Sequence, residues 1–181
     1  RLEKKVGAGA CFFDMDGDGF LDLYDGNYIE IDLETYVTPM KGKYPFYPSP
    51  MAYTPVPSTL YRNKGDGTFA DVSKASGAAS FHGRCMGTIA TDYDNNGTSD
   101  LFICNDVHEN FLLRNDGRGK FEQVGFLAGV AASPNGEMLA NMGVDSGDYN
   151  NDGWLDFFTT NYNKQYPVLL RNEGGDIFSD V

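Results

Sequence analysis

The sequence is short of positive charge. Fourteen Lys and Arg stand against 26 Asp and Glu, a net charge of −12 over 181 residues. Nucleic acid is therefore excluded as a partner, because its phosphates demand a basic patch. Cysteine is scarce: Cys11, Cys85 and Cys104 form no C-x-x-C pair, which removes zinc-ribbon, dithiol-redox and c-type haem chemistry. A Cys85–Cys104 bridge is a pairing the sequence allows, and the odd count leaves at least one thiol free. The two histidines, His82 and His108, lack metal-ligand spacing. There is no G-x-S-x-G, no P-loop and no dinucleotide fingerprint, so no nucleophile is set beside a base and an enzyme is not expected. No apolar run approaches the roughly 18 residues of a membrane helix, so no direct membrane span is expected. The chain opens on Arg1-Leu2-Glu3-Lys4-Lys5 and is expected to be the middle of a longer or processed protein, so the lack of a leader sequence in it says little about location. Helix signals are weak, confined to 74–77 and 126–131.

What the chain has in abundance is glycine, 22 residues spread along its length, and aromatics at 14%. With 41% hydrophobic residues it can bury a core. Distributed glycine among aromatics predicts short strands and tight turns.

The strands belong to a repeat. Three segments share D-x-[DN]-x-[DN]-G-x-x-D: Asp14 to Asp22, Asp92 to Asp100, and Asp148 to Asp156. Five residues before each stands a glycine (Gly9, Gly87, Gly143), and thirteen after each first Asp an asparagine (Asn27, Asn105, Asn161). Leu-x-Arg-Asn-x-Gly then begins at Leu60, Leu112 and Leu169, and a phenylalanine follows each Arg by seven residues (Phe69, Phe121, Phe178). The second and third loops lie 56 residues apart, the size of a four-stranded blade. Units are drawn at 1–78, 79–131 and 132–181. In the second, strands are predicted at 85–91, 100–105, 110–115 and 119–124. The loop-to-Arg distance is 48 residues in the first unit against 22 and 23 in the others, so the first carries an insert, 27–57.

The loops are built for a hard cation. Calcium takes 6–8 oxygen ligands, and alternating acids in a tight turn aim several carboxylates at one centre. Side-chain ligands are expected at positions 1, 3, 5 and 9: Asp14, Asp16, Asp18 and Asp22; Asp92, Asp94, Asn96 and Asp100; Asp148, Asn150, Asp152 and Asp156. The carbonyls of Phe20, Thr98 and Trp154 should add one each, for about three calcium ions. The loops hold ten of the acids; without them the net charge would be −2. The plainer reading, that Asp and Asn with Gly make Asx turns, suits one loop better than three in register. Asn96 and Asn150 bring less charge, so the first loop is expected to bind tightest. A calcium EF-hand wants Glu at position 12 and flanking helices; position 12 here is Asp25, Ile103 and Thr159.

These residues, with Leu60-Tyr61-Arg62-Asn63-Lys64-Gly65-Asp66-Gly67-Thr68-Phe69, resemble the FG-GAP/VCBS repeat and bacterial relatives of the cartilage-acidic-protein family, often carrying ASPIC/UnbV domains. The resemblance covers nearly all the chain except the insert. It implies an all-β fold: a partial integrin-like β-propeller of three four-stranded antiparallel blades, within a larger propeller. It also implies an extracellular or periplasmic setting, calcium in loops on one face, and a role in protein–protein interaction or assembly. The alternative is a carbohydrate-active propeller, a polysaccharide lyase or a lectin. Arg62, Arg114 and Arg171 are read as braces for turns or neighbouring blades. The insert holds six of the eight prolines and five tyrosines. Tyr36, Tyr44, Tyr47 and Tyr53 are candidates for contact with a protein partner or a glycan, or for packing over their own blade.

Overall fold

A computed structural model describes residues 5–32, 34, 36–162 and 164–181; Leu33 and Thr35 of the insert lie outside it. Strands β1 (Lys5–Phe13) and β2 (Asp22–Glu30) flank the first Asp loop. The insert follows, with short ladders β3 (Met40–Lys41), β4 (Tyr44–Pro45) and β5 (Val56–Pro57). Then come β6 (Thr59–Asn63) and β7 (Phe69–Asp71), the single α-helical turn α1 (Ser73–Ser76), and β8 (His82–Gly83), which pairs with β5. The second unit is β9 (Cys85–Thr91), β10 (Asp100–Asn105), β11 (Phe111–Asn115) and β12 (Phe121–Gln123). The third is β13 (Asn141–Gly147), β14 (Asp156–Asn161), β15 (Val168–Asn172) and β16 (Phe178–Asp180). The result is three four-stranded sheets, ordered β1-β2-β6-β7, β9-β10-β11-β12 and β13-β14-β15-β16, each antiparallel throughout.

The middle sheet explains its own sequence. Strand alternation sends Leu101 and Ile103 to one face and Phe102 and Cys104 to the other, and both faces are covered. On one side Leu101, Ile103, Phe111, Leu113 and Phe121 pack on Phe13, Tyr24 and Leu60 of the first sheet. On the other, Phe102, Cys104 and Leu112 meet Phe157, Leu170 and Phe178 of the third. Phe102 stacks on Phe157 at 4.4 Å between centroids, and Phe157 on Phe178 at 4.9 Å. An apolar run without polar alternation is thus a strand sandwiched between two sheets.

The recurrent glycine ahead of each loop has a steric cause. The first strands of the three sheets converge, and a Cβ on Gly87 would lie 2.6 Å from the Met142 carbonyl and 3.4 Å from Gly143. A Cβ on Gly9 would in turn stand 3.2 Å from Gly87. Close backbone approach of this kind excludes a side chain.

Two expectations fail here. Segment 126–131 is not helical: Ala128 makes one helix-type bond to the Val124 carbonyl, and Gly129, at φ +80°, turns the chain away. Cys85 and Cys104 do not pair; both are free, because Cys85 enters the core shared with the first sheet and Cys104 the core shared with the third. Among the described residues, no helix is long and apolar enough to cross a membrane.

Candidate metal centres

Each Asp loop is the turn between the first two strands of its sheet. Position 4 takes a left-handed conformation in all three (Gly17 φ +73°, Asn95 +54°, Asn151 +60°), as does the glycine at position 6. That backbone turns successive N–H groups inward onto the position-1 carboxylate. Asp14 accepts from Gly17 and Gly19 at 2.9 Å and from Asp18 at 3.2 Å. Asp92 accepts from Asn96 and Gly97, and Asp148 from Asp152 and Gly153. Asp18, Asn96 and Asp152 accept from the N–H of position 7.

Oxygens of Asp14, Asp16 and Asp18 lie within 4.8 Å of one another, as do those of Asp92, Asp94 and Asp100. Two buried oxygens in these groups, Asp16 Oδ1 and Asp100 Oδ2, have no hydrogen-bond partner. Burial, with the charges of Asp94 and Asp92 beside it, pushes the Asp100 carboxyl up to about 7 against the bond from Asn115. Burial raises Asp94 and Asp22 as well. Unpartnered, crowded carboxylate oxygens fit a hard divalent cation, which would relieve both the repulsion and the unmade bonds. The third loop is different. Asn150 turns its amide N–H onto Asp152 Oδ2 at 2.7 Å while its Oδ1 accepts from the Asp152 backbone at 3.1 Å.

Position 9 has a second task. Asp22 Oδ2 accepts from the Met15 N–H at 2.9 Å and its Oδ1 from Asn63 at 2.8 Å. Asp156 does the same with Tyr149 and Asn172, and Asp100 Oδ1 takes the Asn115 N–H. These carboxylates fasten each loop to the Leu-x-Arg-Asn strand of its own sheet. The side chains at position 7 pack on the glycines of the following hairpin: Phe20 on Gly65, Thr98 on Gly117, Trp154 on Gly175. Sequence reasoning used only the position-7 carbonyls and missed these contacts.

The arginines do not share one role. Arg62 reaches over the first loop, Nη2 lying 2.7 Å from Asp16 and 3.1 Å from Asp18. Arg114 pairs with Glu122 across β11 and β12, and Arg171 of β15 with Glu173 in the hairpin that follows it. A brace describes the second and third; the first is a guanidinium lying on the carboxylates a cation would use.

The asparagine of Leu-x-Arg-Asn, in contrast, joins one unit to the next. Asn115 Nδ2 donates to the Ser99 carbonyl of its own loop at 3.0 Å and to the Met15 carbonyl of the preceding loop at 2.8 Å. Asn172 Nδ2 likewise donates to Leu155 at 3.2 Å and to Tyr93 of the preceding loop at 2.8 Å. Asn95 Nδ2 also spans two loops, to the Gly153 carbonyl at 3.1 Å.

The four insert tyrosines do not form one cluster. Tyr36 and Tyr53 line a shallow hollow with Glu30, Val37 and Pro48. Tyr44 lies in the β3–β4 ladder with Lys43 over its ring, and Tyr47 is 99% exposed. What ties the insert down is Tyr28, whose hydroxyl donates to Asp106 Oδ2 at 2.6 Å, and buried Arg84, which donates to the Tyr53 carbonyl at 3.0 Å. His82 is exposed, and His108 meets Phe111 edge-on.

Comparison with known proteins places this geometry. Cartilage acidic protein 1 of Xenopus tropicalis is 29% identical over 118 residues, 64% of this chain and 17% of that protein. The Homo sapiens protein of that name is 26% identical over 136 residues, 69% of this chain and 20% of the relative. The chain thus spans a fifth or less of the length of these relatives. The model of the FG-GAP-like repeat matches residues 51–103 and 92–159, more than half the chain, and the matched stretches contain the second and third Asp loops with strands β9, β10 and β13 and the start of β14. With the match covering more than half of it, the chain belongs to the FG-GAP-like repeat family.

Proposed function

We propose that this chain is a calcium-stabilised segment of a β-propeller that serves as a protein–protein interaction or assembly module outside the cytoplasm. The carboxylate groups Asp14–Asp16–Asp18 and Asp92–Asp94–Asp100, in register on repeated loops with unpartnered buried oxygens, carry this reading. Asp14, Asp16, Asp18 and Asp22 would hold the first ion with the Phe20 carbonyl. Asp92, Asp94, Asn96 and Asp100 would hold the second with that of Thr98. Asp148, Asn150, Asp152 and Asp156 would hold the third with that of Trp154. Each ion neutralises a cluster of like charges and lets the three units, 1–78, 79–131 and 132–181, stack as blades. The role in this reading is binding rather than catalysis. An extracellular or periplasmic site of action suits loops of this ligand class, whose extracellular representatives bind at about 10⁻⁴–10⁻³ M. The insert, with Tyr44 and Tyr47 exposed, is the surface offered to a protein partner.

Calorimetry with calcium on the 181-residue chain tests this. About three ions should bind, and 100-fold saturation of one site should add about 2.7 kcal/mol of stability. Asp16→Ala should remove one ion from the stoichiometry. No heat on titration, together with a melting curve unchanged by excess chelator, would refute the metal reading.

A further inference from the structure

Only the second Asp loop joins an asparagine at position 5 to a hydroxyl at position 7. Those positions are Asp18 and Phe20 in the first loop, Asn96 and Thr98 in the second, and Asp152 and Trp154 in the third. Glycine follows position 5 in all three. Asn-Gly is a reactive pair. The glycine nitrogen can attack the side-chain amide carbon of the asparagine, because no Cβ hinders the approach and the two groups are held on adjacent residues.

The second loop places the groups that this reaction needs. Asn96 Oδ1 accepts from the Thr98 N–H at 2.8 Å and from the Thr98 hydroxyl at 2.6 Å. The other acceptor near that hydroxyl, the Asn115 carbonyl, is farther away at 3.3 Å. Two donors on one amide oxygen draw charge from its carbon and stabilise the oxyanion that attack produces. The attacking nitrogen has a base beside it: the Gly97 N–H donates to Asp92 Oδ2 at 2.9 Å. A Cβ built on Gly97 would find nothing within 4 Å, so a ring has room to close. Asn96 and Gly97 are both exposed, so water has access. The chain's other Asn-Gly pair, Asn135-Gly136, is also exposed, but there the Gly136 N–H donates to the Ser133 carbonyl at 2.8 Å, which is no base.

We propose that Asn96 is a self-modifying site, which deamidates without an enzyme and faster than an ordinary exposed Asn-Gly pair. The Gly97 nitrogen bonds to Asn96 Cγ and gives its proton to Asp92, while Thr98 holds the oxyanion. The Cγ–Nδ2 bond then breaks; Nδ2 takes the proton from Asp92 and leaves as ammonia. Water opens the resulting succinimide at either carbonyl, to aspartate or to isoaspartate. One water is consumed, and nothing is oxidised or reduced. The aspartate form gives the second loop the acid that Asp18 and Asp152 supply in the others. The isoaspartate form lengthens the backbone within the turn. The reaction does not depend on the loops holding calcium.

The test is incubation of the 181-residue chain in metal-free buffer, folded and in urea, with peptide mapping by mass spectrometry at intervals. In the folded chain Asn96 should convert about tenfold faster than Asn135, and in urea the two rates should converge. Thr98→Val keeps the methyl that meets Gly117 and removes one donor. Loss of a donor from a buried oxyanion hole slows a reaction by about 10²–10³-fold; this loop is open to water, so Asn96 should slow by about tenfold while Asn135 keeps its rate. Thr98→Ser retains both donors and should convert as the wild type does. The proposal is overturned if Asn96 converts no faster than Asn135 in the folded chain, or if its lead persists in urea. It is also overturned if Thr98→Val keeps the wild-type rate. The comparison of folded chain with urea decides the matter even where Thr98→Val fails to fold.

Discussion

Replacing Asn115 with alanine tests whether inter-unit hydrogen bonds hold the sheets together. Both amide protons of Asn115 are used, one on the Ser99 carbonyl and one on Met15 of the preceding loop, and its Oδ1 accepts from Gly117 at 3.1 Å. The residue is 3% exposed and Met15 is 4% exposed, so water cannot readily replace the lost partner. A buried polar group left unpaired costs about 1–3 kcal/mol. Two carbonyls and an N–H are stranded together, and such losses are less than additive, so about 3–5 kcal/mol is expected. For a domain of this size that is a fall in melting temperature of roughly 6–20 °C. Asn172→Ala should cost as much, since Asn172 makes the same bonds to Leu155 and Tyr93 at 1% exposure.

Asn63 is the internal control. It has the same place in the first unit and donates to Leu21 of its own loop, but it is not buried. Asn63→Ala should cost about 1 kcal/mol or less, because water replaces what is lost. Asn115→Asp sharpens the test: it keeps the Gly117 bond but points a carboxylate at two carbonyls, so it should be worse than alanine. Urea unfolding followed by circular dichroism and Trp154 fluorescence, in calcium throughout, gives each value. If Asn63→Ala proves as damaging as Asn115→Ala, or Asn115→Asp behaves as wild type, the inter-unit bond is not what the asparagine is for.

Arg62→Gln should raise calcium affinity at the first loop by up to about fivefold, since an exposed ion pair is worth roughly 0.2–1 kcal/mol and the cation must displace it; unchanged affinity in calorimetry counts against the competition. Tyr28→Phe removes a hydrogen bond to a carboxylate, worth about 1.5–3 kcal/mol, and should speed proteolytic cleavage within 31–55; an insert cut no faster than in wild type would show that Tyr28 does not anchor it. Gly87→Ala places a methyl 2.6 Å from the Met142 carbonyl and should cost about 1–3 kcal/mol or more. Gly147→Ala, with nothing within 4 Å of its Cβ, should be near neutral in the same denaturation assay.

The second unit was legible almost to the residue, and the reason is local. Its strands are short apolar runs bounded by Asp-Gly and Asn-Gly turns, signals that need no tertiary context. The expected 85–91 and 100–105 match Cys85–Thr91 and Asp100–Asn105. Segment 126–131 misled because Phe-Leu-Ala favours helix while Gly129 supplies the left-handed turn that ends it. The part played by Arg62 could not be read, since a long flexible side chain can lie across its own hairpin or across the loop, and the three arginines divide between these. The asparagines were seen in register, but their purpose was not. The bond from Asn115 to Met15 joins residues 100 apart, and no local pattern reports such a contact.

The same residues build both the joint and the candidate metal centre, which explains why so many positions repeat together. Asn115 gives its N–H to Asp100 of its own loop and its amide to the Met15 carbonyl. The Met15 N–H goes to Asp22, and Asp22 in turn accepts from Asn63. A continuous run of hydrogen bonds therefore connects the second Asp loop to the first and to the strand behind it. Asn172 passes the connection on, from Asp156 to the Tyr93 carbonyl within the second loop. A cation that fixes one loop fixes the peptide group through which the next unit is held. Loss of an ion should then loosen the neighbouring joint as well as its own turn. In hydrogen exchange, Asp16→Ala should expose amides of β11 in the second sheet, 95 or more residues away in sequence. Exchange confined to residues 14–22 would mean that the loops act independently and that the repeated asparagines serve packing alone.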